Sequence, residues 1–200
     1  LAARRGDLIV ASMAGALGTA TESAPRPIAA GAALVDLSPD FRTLRPAEIE
    51  TLLAAGIPAP ASAYGLPERY REKIAGARLV ANPGCYPTAS LLAMLPAVAK
   101  FPIQHIIIDA KSGITGAGRT PSVSSLFAEV YGDVRAYGLA GHRHEPEIAQ
   151  ELRAAGANVP FTFTPHVVPI AQGMLVDVYL IGDAFPSDVA VHALYADAYA

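Results

Sequence analysis

The single cysteine of this 200-residue chain, Cys85, lies in the segment "VANPGCYPTAS". The preceding Asn82, Pro83 and Gly84 favour a tight turn, because proline fixes φ and glycine tolerates a strongly bent backbone. We expect Cys85 to stand where a turn at the end of a strand opens a helix, where unpaired N–H groups and the helix dipole favour a thiolate. Cys85 is therefore a candidate nucleophile, and the alternative is a buried, inert thiol.

The segment "GLAGHRHEPEI" supplies two candidate bases, His142 and His144. In an extended lead-in to a helix, residues i and i+2 point the same way. The pair could thus bind a metal, or one histidine could be a general base supported by the other. No metal is expected, because the sequence offers no third ligand at suitable spacing. Glu147 suits the positive end of the helix that Pro146 begins and could orient an imidazole. The alternative is a pair of polar loop histidines.

A glycine-rich loop, "DAKSGITGAGRTPS", follows the most strongly predicted strand. Its backbone N–H groups, near Ser112 and Gly113, can cradle an anion, and Arg119 can clamp a phosphate or carboxylate. It is neither a Walker loop nor a G-x-G-x-x-G motif, so a flexible connection is the alternative. Ser38, in "VDLSPDF", either contacts a ligand at the sheet edge or caps a turn.

The elements that must position these residues form two patterns. Apolar runs at 8–11, 33–37, 79–81 and 103–110 alternate with helical stretches at 47–55, 68–75 and 88–99, which predicts an α/β region with a parallel sheet. Later segments predict helices over 121–130 and 145–155 and antiparallel strands over 160–170 and 173–182, with Leu175, Asp177, Tyr179 and Ile181 on one face. We expect two domains, 1–85 and 86–200.

Composition excludes several classes of protein. Hydrophobic residues make up 52% of the chain, enough for a sizeable core, and the net charge of −3 without a basic run argues against nucleic acid. No apolar run is long enough for a membrane span, and one cysteine cannot form an internal disulfide. A cytoplasmic protein with a small-molecule substrate is expected. A strand almost at the first residue and a final helix without a cap suggest a chain that is incomplete at both ends.

Five segments together resemble one family. "VDLSPDF", "YGLPE", "NPGCYPT", "SGITGAGR" and "GHRHEPEI" occur as in the N-acetyl-γ-glutamyl-phosphate reductases of arginine biosynthesis, and the resemblance extends over residues 32–184. It implies a Rossmann-type NADP-binding domain, partial here, followed by a glyceraldehyde-phosphate-dehydrogenase-like α+β domain. It also implies a homo-oligomer, a tetramer or dimer.

The resemblance implies an NADPH-dependent reductive dephosphorylation of N-acetyl-L-glutamyl 5-phosphate to the 5-semialdehyde, through a thioester on Cys85. His144 is favoured as the acid/base, with His142 near the substrate. The candidate cofactor-binding residues are Ser38, Ser112 and Gly113, and the candidate substrate-binding residues are Arg119, Glu147 and Asn82.

Departures from the family pattern keep alternatives open. The chain lacks a G-x-G-x-x-G after its first strand, and "SMAGALG" stands where the family has a Pro-His turn. The alternatives are a reductase of aminoadipyl phosphate or aspartyl phosphate, a cysteine hydrolase, and a non-catalytic fragment without the nucleotide loop. Tyr-Pro-Thr after Cys85 and Pro-Glu-Ile after the histidine pair favour the arginine pathway over the aspartate enzyme.

Overall fold

Two compact units, Leu1–Gly84 and Cys85–Ala200, make up the chain. The computed structural model describes residues 4–11, 28–43, 50, 52–54, 56–57, 61–117, 122–139 and 141–200. The first unit contains a parallel sheet and the second a mixed sheet, which confirms the predicted α/β fold class. Within the described ranges, no helix combines the length and apolarity needed to cross a bilayer.

The first unit is built on a four-stranded parallel sheet with strand order β1-β2-β4-β3. Its elements are β1 Leu8–Ala11, β2 Ala33–Asp36, β3 Ser62–Tyr64, α1 Pro67–Ala75 and β4 Leu79–Ala81. Leu34 and Leu79 face each other in register and are buried, so they form part of the core beneath the sheet. Proline begins α1, where its missing N–H costs no hydrogen bond.

Most strands of the first unit match the sequence-based prediction, but β3 does not appear in it. Ser62–Tyr64 is only three residues long, so it carries no usable periodicity, and its parallel pairing with β4 makes it a strand. The predicted helix over 47–55 lies partly outside the described residues, and residues 50 and 52–54 are helical.

The second unit is a mixed sheet with strand order β6-β7-β5-β8 and helices packed on one face. Its strands are β5 Ile103–Ser112, β6 Arg135–Ala136, β7 Phe161–Val167 and β8 Met174–Gly182. Its helices are α2 Cys85–Val98, α3 Phe127–Val130, α4 Glu145–Ala154 and α5 Asp188–Ala198. Ile106, Ile108 and Ala110 of β5 are fully buried, and α2 packs against β8, α4 and α5.

The opposite side of this sheet carries a surface that we call the outer face. It consists of Asp109 and Lys111 on β5 and of Leu175, Asp177, Tyr179 and Ile181 on β8. Asp109 is in register with Asp177, and Lys111 with Leu175. Leu175, Tyr179 and Ile181 are 61%, 56% and 45% exposed, so the predicted alternation along β8 is confirmed. The ammonium of Lys111 lies 2.6 Å from Asp109 and 2.7 Å from Asp177.

The two strands predicted over 160–170 and 173–182 are present, and each has an antiparallel partner, β6 for β7 and β5 for β8. Strand β7 also pairs in parallel with β5. The long excursion that contains β6 and α4 allows this parallel crossover. The described part of 121–130 is not one helix but a 3₁₀ turn, Val123–Ser125, and the single-turn α3. Leu126 is extended between them, and the serine hydroxyls bond locally in competition with a helix.

Candidate active site

Cys85 is the first residue of helix α2, as predicted, and it is exposed. The preceding residues 82–84 are irregular rather than the predicted tight turn. Pro87 follows within the first helical turn, where backbone N–H groups have no partner inside the helix. The 14-residue helix therefore directs its positive end and free N–H groups toward the thiol. At this position the sulfur is accessible to a substrate.

The next residue, Tyr86, anchors the helix start to the histidine segment. Its buried ring makes edge-on contacts with His142, His144 and Phe163, at centroid distances of 5.7, 5.9 and 5.4 Å. Phe163 belongs to β7, so the contacts join α2, the sheet and the loop before α4. Because the ring adjoins Cys85 in sequence, packing of Tyr86 fixes where the thiol stands relative to both histidines.

The loop before α4 is held by its own hydrogen bonds. One carboxylate oxygen of Glu145 accepts the backbone N–H groups of Gly141 and His142, at 3.1 and 3.0 Å. The backbone N–H of His144 donates to Nδ1 of His142 at 3.1 Å. A ring nitrogen that accepts a hydrogen bond carries no proton, so neutral His142 is protonated at Nε2.

The two histidines differ in accessibility. His142 lines a cavity, whereas His144 is only 3% exposed and packs against the ring of His142 at a centroid distance of 4.8 Å. Burial lowers the pKa of His142, and the positive charge of Arg143 lowers it further against the opposing charge of Glu145. His142 is therefore neutral at pH 7, and it is the accessible member of the pair.

The cavity beside His142 has a volume of about 350 Å³. One wall is the glycine-rich loop, where Ser112 and Gly113 were predicted to lie near a ligand. A side chain at Gly113 would meet the carbonyl oxygen of Ile170 at 2.9 Å, so the close approach of residues 170–172 requires glycine there. The remaining polar lining among the described residues consists of hydroxyl and guanidinium groups and contains no carboxylate: Ser122, Ser124, Ser125, Arg135, Tyr137 and Arg143.

The other predicted site residues have different surroundings. Glu147 lies buried in the first turn of α4, which suits an orienting role better than contact with a substrate. In the first unit, buried Ser38 donates to Asp36 and accepts the N–H of Asp40, as a turn cap does. The side chain of Asn82 donates to the neighbouring carbonyl of Pro83. Arg119 lies outside the described residues.

Sequence reasoning missed four residues of this cluster: Tyr86, Tyr137, Arg135 and Arg143. Tyr86 and Arg143 had a usable signal, because they stand next to the predicted cysteine and between the predicted histidines. Tyr137 and Arg135 had none, because only the pairing of β6 with β7 brings them to the cavity.

Comparison with known proteins identifies the family of the chain. A family model described as semialdehyde dehydrogenase, dimerisation domain, matches residues 85–200, the whole of the second unit. The chain belongs to the semialdehyde dehydrogenase family. Within this family, the predicted resemblance to N-acetyl-γ-glutamyl-phosphate reductases is confirmed by the curated relatives.

Two N-acetyl-γ-glutamyl-phosphate reductases illustrate the similarity of this semialdehyde dehydrogenase family member to its curated relatives. One from Dehalococcoides mccartyi is 46% identical over 176 residues, covering 84% of this chain and 52% of the relative. One from Halorhodospira halophila is 45% identical over 190 residues, covering 92% and 55%. The chain thus spans about half the length of the curated relatives it matches.

Solved semialdehyde dehydrogenases share the fold. Aspartate semialdehyde dehydrogenase II from Vibrio cholerae superposes with a TM-score of 0.69 at 15% identity, covering 94% of this chain and 59% of that chain. The Candida albicans aspartate semialdehyde dehydrogenase, solved with NADP, gives 0.63 at 16% identity, covering 94% and 54%. At such identities the likeness concerns the fold alone.

Proposed function

We propose that this chain carries the catalytic residues of an N-acetyl-γ-glutamyl-phosphate reductase. The reaction is the NADPH-dependent reductive dephosphorylation of N-acetyl-L-glutamyl 5-phosphate to N-acetyl-L-glutamate 5-semialdehyde, a step of arginine biosynthesis. The names of the 42–46% identical relatives support the substrate, although the chain spans only part of their length. The observation that carries the proposal is the exposed thiol of Cys85 at the start of α2, joined through Tyr86 to His142 beside a cavity with two arginines.

The charge of the cavity lining favours this substrate over an aspartyl phosphate. Arg135 and Arg143 attract the carboxylate and phosphate groups of the substrate, and no carboxylate among the described lining residues would hold a cation. The free ammonium group of an aspartyl phosphate would be repelled here, whereas an acylated amine is neutral. A charge argument does not separate the acetylated glutamyl compound from an acylated aminoadipyl analogue, and the relatives' names favour the former.

Cys85 performs the first covalent step. Its thiolate attacks the carbonyl carbon of the acyl phosphate, the bond between that carbon and the phosphate oxygen breaks, and phosphate leaves with the electron pair. The carbonyl carbon remains bound to Sγ as a thioester. The two cavity arginines stabilise the negative charge that grows on the departing phosphate.

His142 acts on the carbonyl oxygen. With Nδ1 occupied by the N–H of His144, its Nε2–H can donate to an oxygen that becomes negative as the thioester is reduced. Collapse of that oxyanion releases the semialdehyde and returns Cys85 to its thiolate. The sequence favoured His144 for the acid/base role. We propose His142 for it, because His142 lines the cavity and His144 is buried.

The residues of the cavity fit a nicotinamide cofactor. The serine hydroxyls of the lining would offer polar contacts to the cofactor. The N–H groups of residues 113–116, which the sequence predicted to cradle an anion, already donate to backbone carbonyls of the protein. When bound, NADPH supplies the hydride that reduces the thioester. NADP is supported further by its presence in the Candida albicans structure of the same fold.

We also propose that a second copy of the chain covers the outer face, which would make the assembly at least a dimer. Three large exposed apolar side chains along one strand face are typical of a protein interface, and Lys111 partly neutralises Asp109 and Asp177 there. A twofold axis through the patch would place the same residues on both sides. The dimerisation role in the description of the matching family supports this assignment.

The reverse reaction tests the proposed activity. The chain is supplied with N-acetylglutamate semialdehyde, NADP and phosphate, and formation of reduced cofactor is followed by absorbance. We expect phosphate-dependent reduction that falls to background in Cys85→Ser. Ser187→Ala, at an exposed serine outside the cavity lining, should retain the activity. Absence of reduction by a chain shown to be folded would refute catalysis by this chain and favour the non-catalytic alternative.

A further inference from the structure

Tyr137 is held firmly at the cavity although it follows a two-residue strand. Its backbone N–H donates to the carbonyl of Pro165 at 3.0 Å, which extends the pairing of β6 with β7 by one residue. Its ring contacts the ring of His142 edge-on, with centroids 5.5 Å apart. The partly exposed side chain also lines the cavity. Tyr137 therefore presents its hydroxyl close to where the proposed reaction takes place.

The hydroxyls of Tyr137 and Tyr86 form a chain of hydrogen bonds that ends at a carbonyl oxygen, and this end fixes the direction of each bond. The hydroxyl of Tyr137 lies 3.1 Å from that of Tyr86, which lies 3.4 Å from the carbonyl oxygen of His166. A carbonyl oxygen can only accept, so Tyr86 donates its single proton to His166. Tyr86 must then accept from Tyr137. The one proton of Tyr137 is thus committed to Tyr86, and its oxygen can only accept from a ligand.

We propose that Tyr137 is a specificity-determining residue whose hydroxyl oxygen accepts a hydrogen bond from the amide N–H of an N-acylated substrate. This assignment rests on the proposed function and adds to it the residue that recognises the acylated nitrogen. Arg135 and Arg143 line the same cavity and disfavour an ammonium donor, so a neutral N–H is the donor that suits the site. Burial raises the pKa of Tyr137, and the charge of Cys85 adds to this against the opposing effects of the Tyr86 hydrogen bond and Arg143, so the phenol stays protonated.

Protection of Cys85 from alkylation tests the assignment without any cofactor. Cys85 is the single cysteine, so mass spectrometry of the iodoacetamide-treated chain reports its modification directly. The two protecting ligands are N-acetyl-L-glutamate and 2-acetoxyglutarate, an ester of the same charge in which oxygen replaces the N–H. In the unchanged chain, the amide should protect at a roughly threefold to tenfold lower concentration than the ester, as for one neutral hydrogen bond.

Tyr137→Phe should remove this preference. Both ligands should then protect at the concentration that the ester requires in the unchanged chain. Tyr131→Phe, at an exposed tyrosine outside the cavity lining, should retain it. Tyr86→Phe is a second variant. It removes the acceptor of the Tyr137 hydroxyl, so Tyr137 can donate its proton to the ester oxygen. The ratio between the protecting concentrations of ester and amide should then decrease. Circular dichroism confirms that each variant is folded.

The outcomes separate this assignment from the proposed function. Equal protection by amide and ester in the unchanged chain, or a full amide preference in Tyr137→Phe, would overturn the role of Tyr137 while leaving the reductase proposal standing. Protection by neither ligand would overturn both the role of Tyr137 and the proposed substrate.

Discussion

Replacing Glu145 with glutamine tests how the histidine loop is held. One carboxylate oxygen accepts two backbone N–H groups, at 3.1 and 3.0 Å. Hydrogen bonds to charged groups contribute about 1.5–3 kcal/mol and neutral ones about 0.5–1.5 kcal/mol, so each bond should lose about 1 kcal/mol when the charge is removed. Because Glu145 is partly exposed, we expect a total loss of about 1–2 kcal/mol in the free energy of unfolding.

Urea denaturation followed by circular dichroism measures this loss, with Glu129→Gln, an exposed carboxylate on α3, as the control. The same variant should lower the pKa of His142 further, because the charge of Glu145 raises it in the unchanged chain. An NMR titration of the histidine rings reports that shift. An unchanged unfolding free energy together with an unchanged His142 titration would refute the loop geometry described above.

Two further predictions concern pH and assembly. Burial lowers the pKa of His142 below 6.5 in the folded chain, so the unfolded chain binds the proton first as pH falls. The urea midpoint of the unchanged chain should therefore decrease below about pH 6.5. The decrease should be less steep in His142→Asn. Equal pH dependence of the urea midpoint in both proteins would contradict this. Leu175→Asp and Tyr179→Asp should each weaken self-association at least tenfold, about 1.4 kcal/mol, as measured by sedimentation velocity. Val189→Asp, on the exposed side of α5, should leave self-association unchanged. Unchanged assembly in both outer-face variants would exclude that face as the interface.

Elements with strong local patterns were predictable. The β-branched run of β5 and the alternation along β8 carry their structure in neighbouring residues, and the turn chemistry before Cys85 predicted the start of α2. Failures occurred where local preference was weak. Three-residue β3 exists because β4 offers it a partner, and the serines around Val123 bond locally and interrupt the predicted helix.

The residues of the candidate site also divide into those with a local sequence signal and those without one. Cys85, His142, His144 and the Ser112–Gly113 corner were predictable, because each stands in a segment whose turn or loop chemistry is visible locally. The cavity arginines and Tyr137 were not. Tyr137 meets Tyr86 across 51 residues of sequence, and that contact depends on the pairing of β6 with β7.

The sequence by itself determined the chemical groups available to this protein: one thiol after a turn, two histidines before a helix and a glycine-rich loop after a buried strand. These follow from preferences that act over a few residues. Only the tertiary structure decided which histidine is accessible, where the arginines converge and which way the tyrosine hydroxyls donate. Those properties depend on burial and on hydrogen-bond partners from distant segments, and no local pattern encodes them.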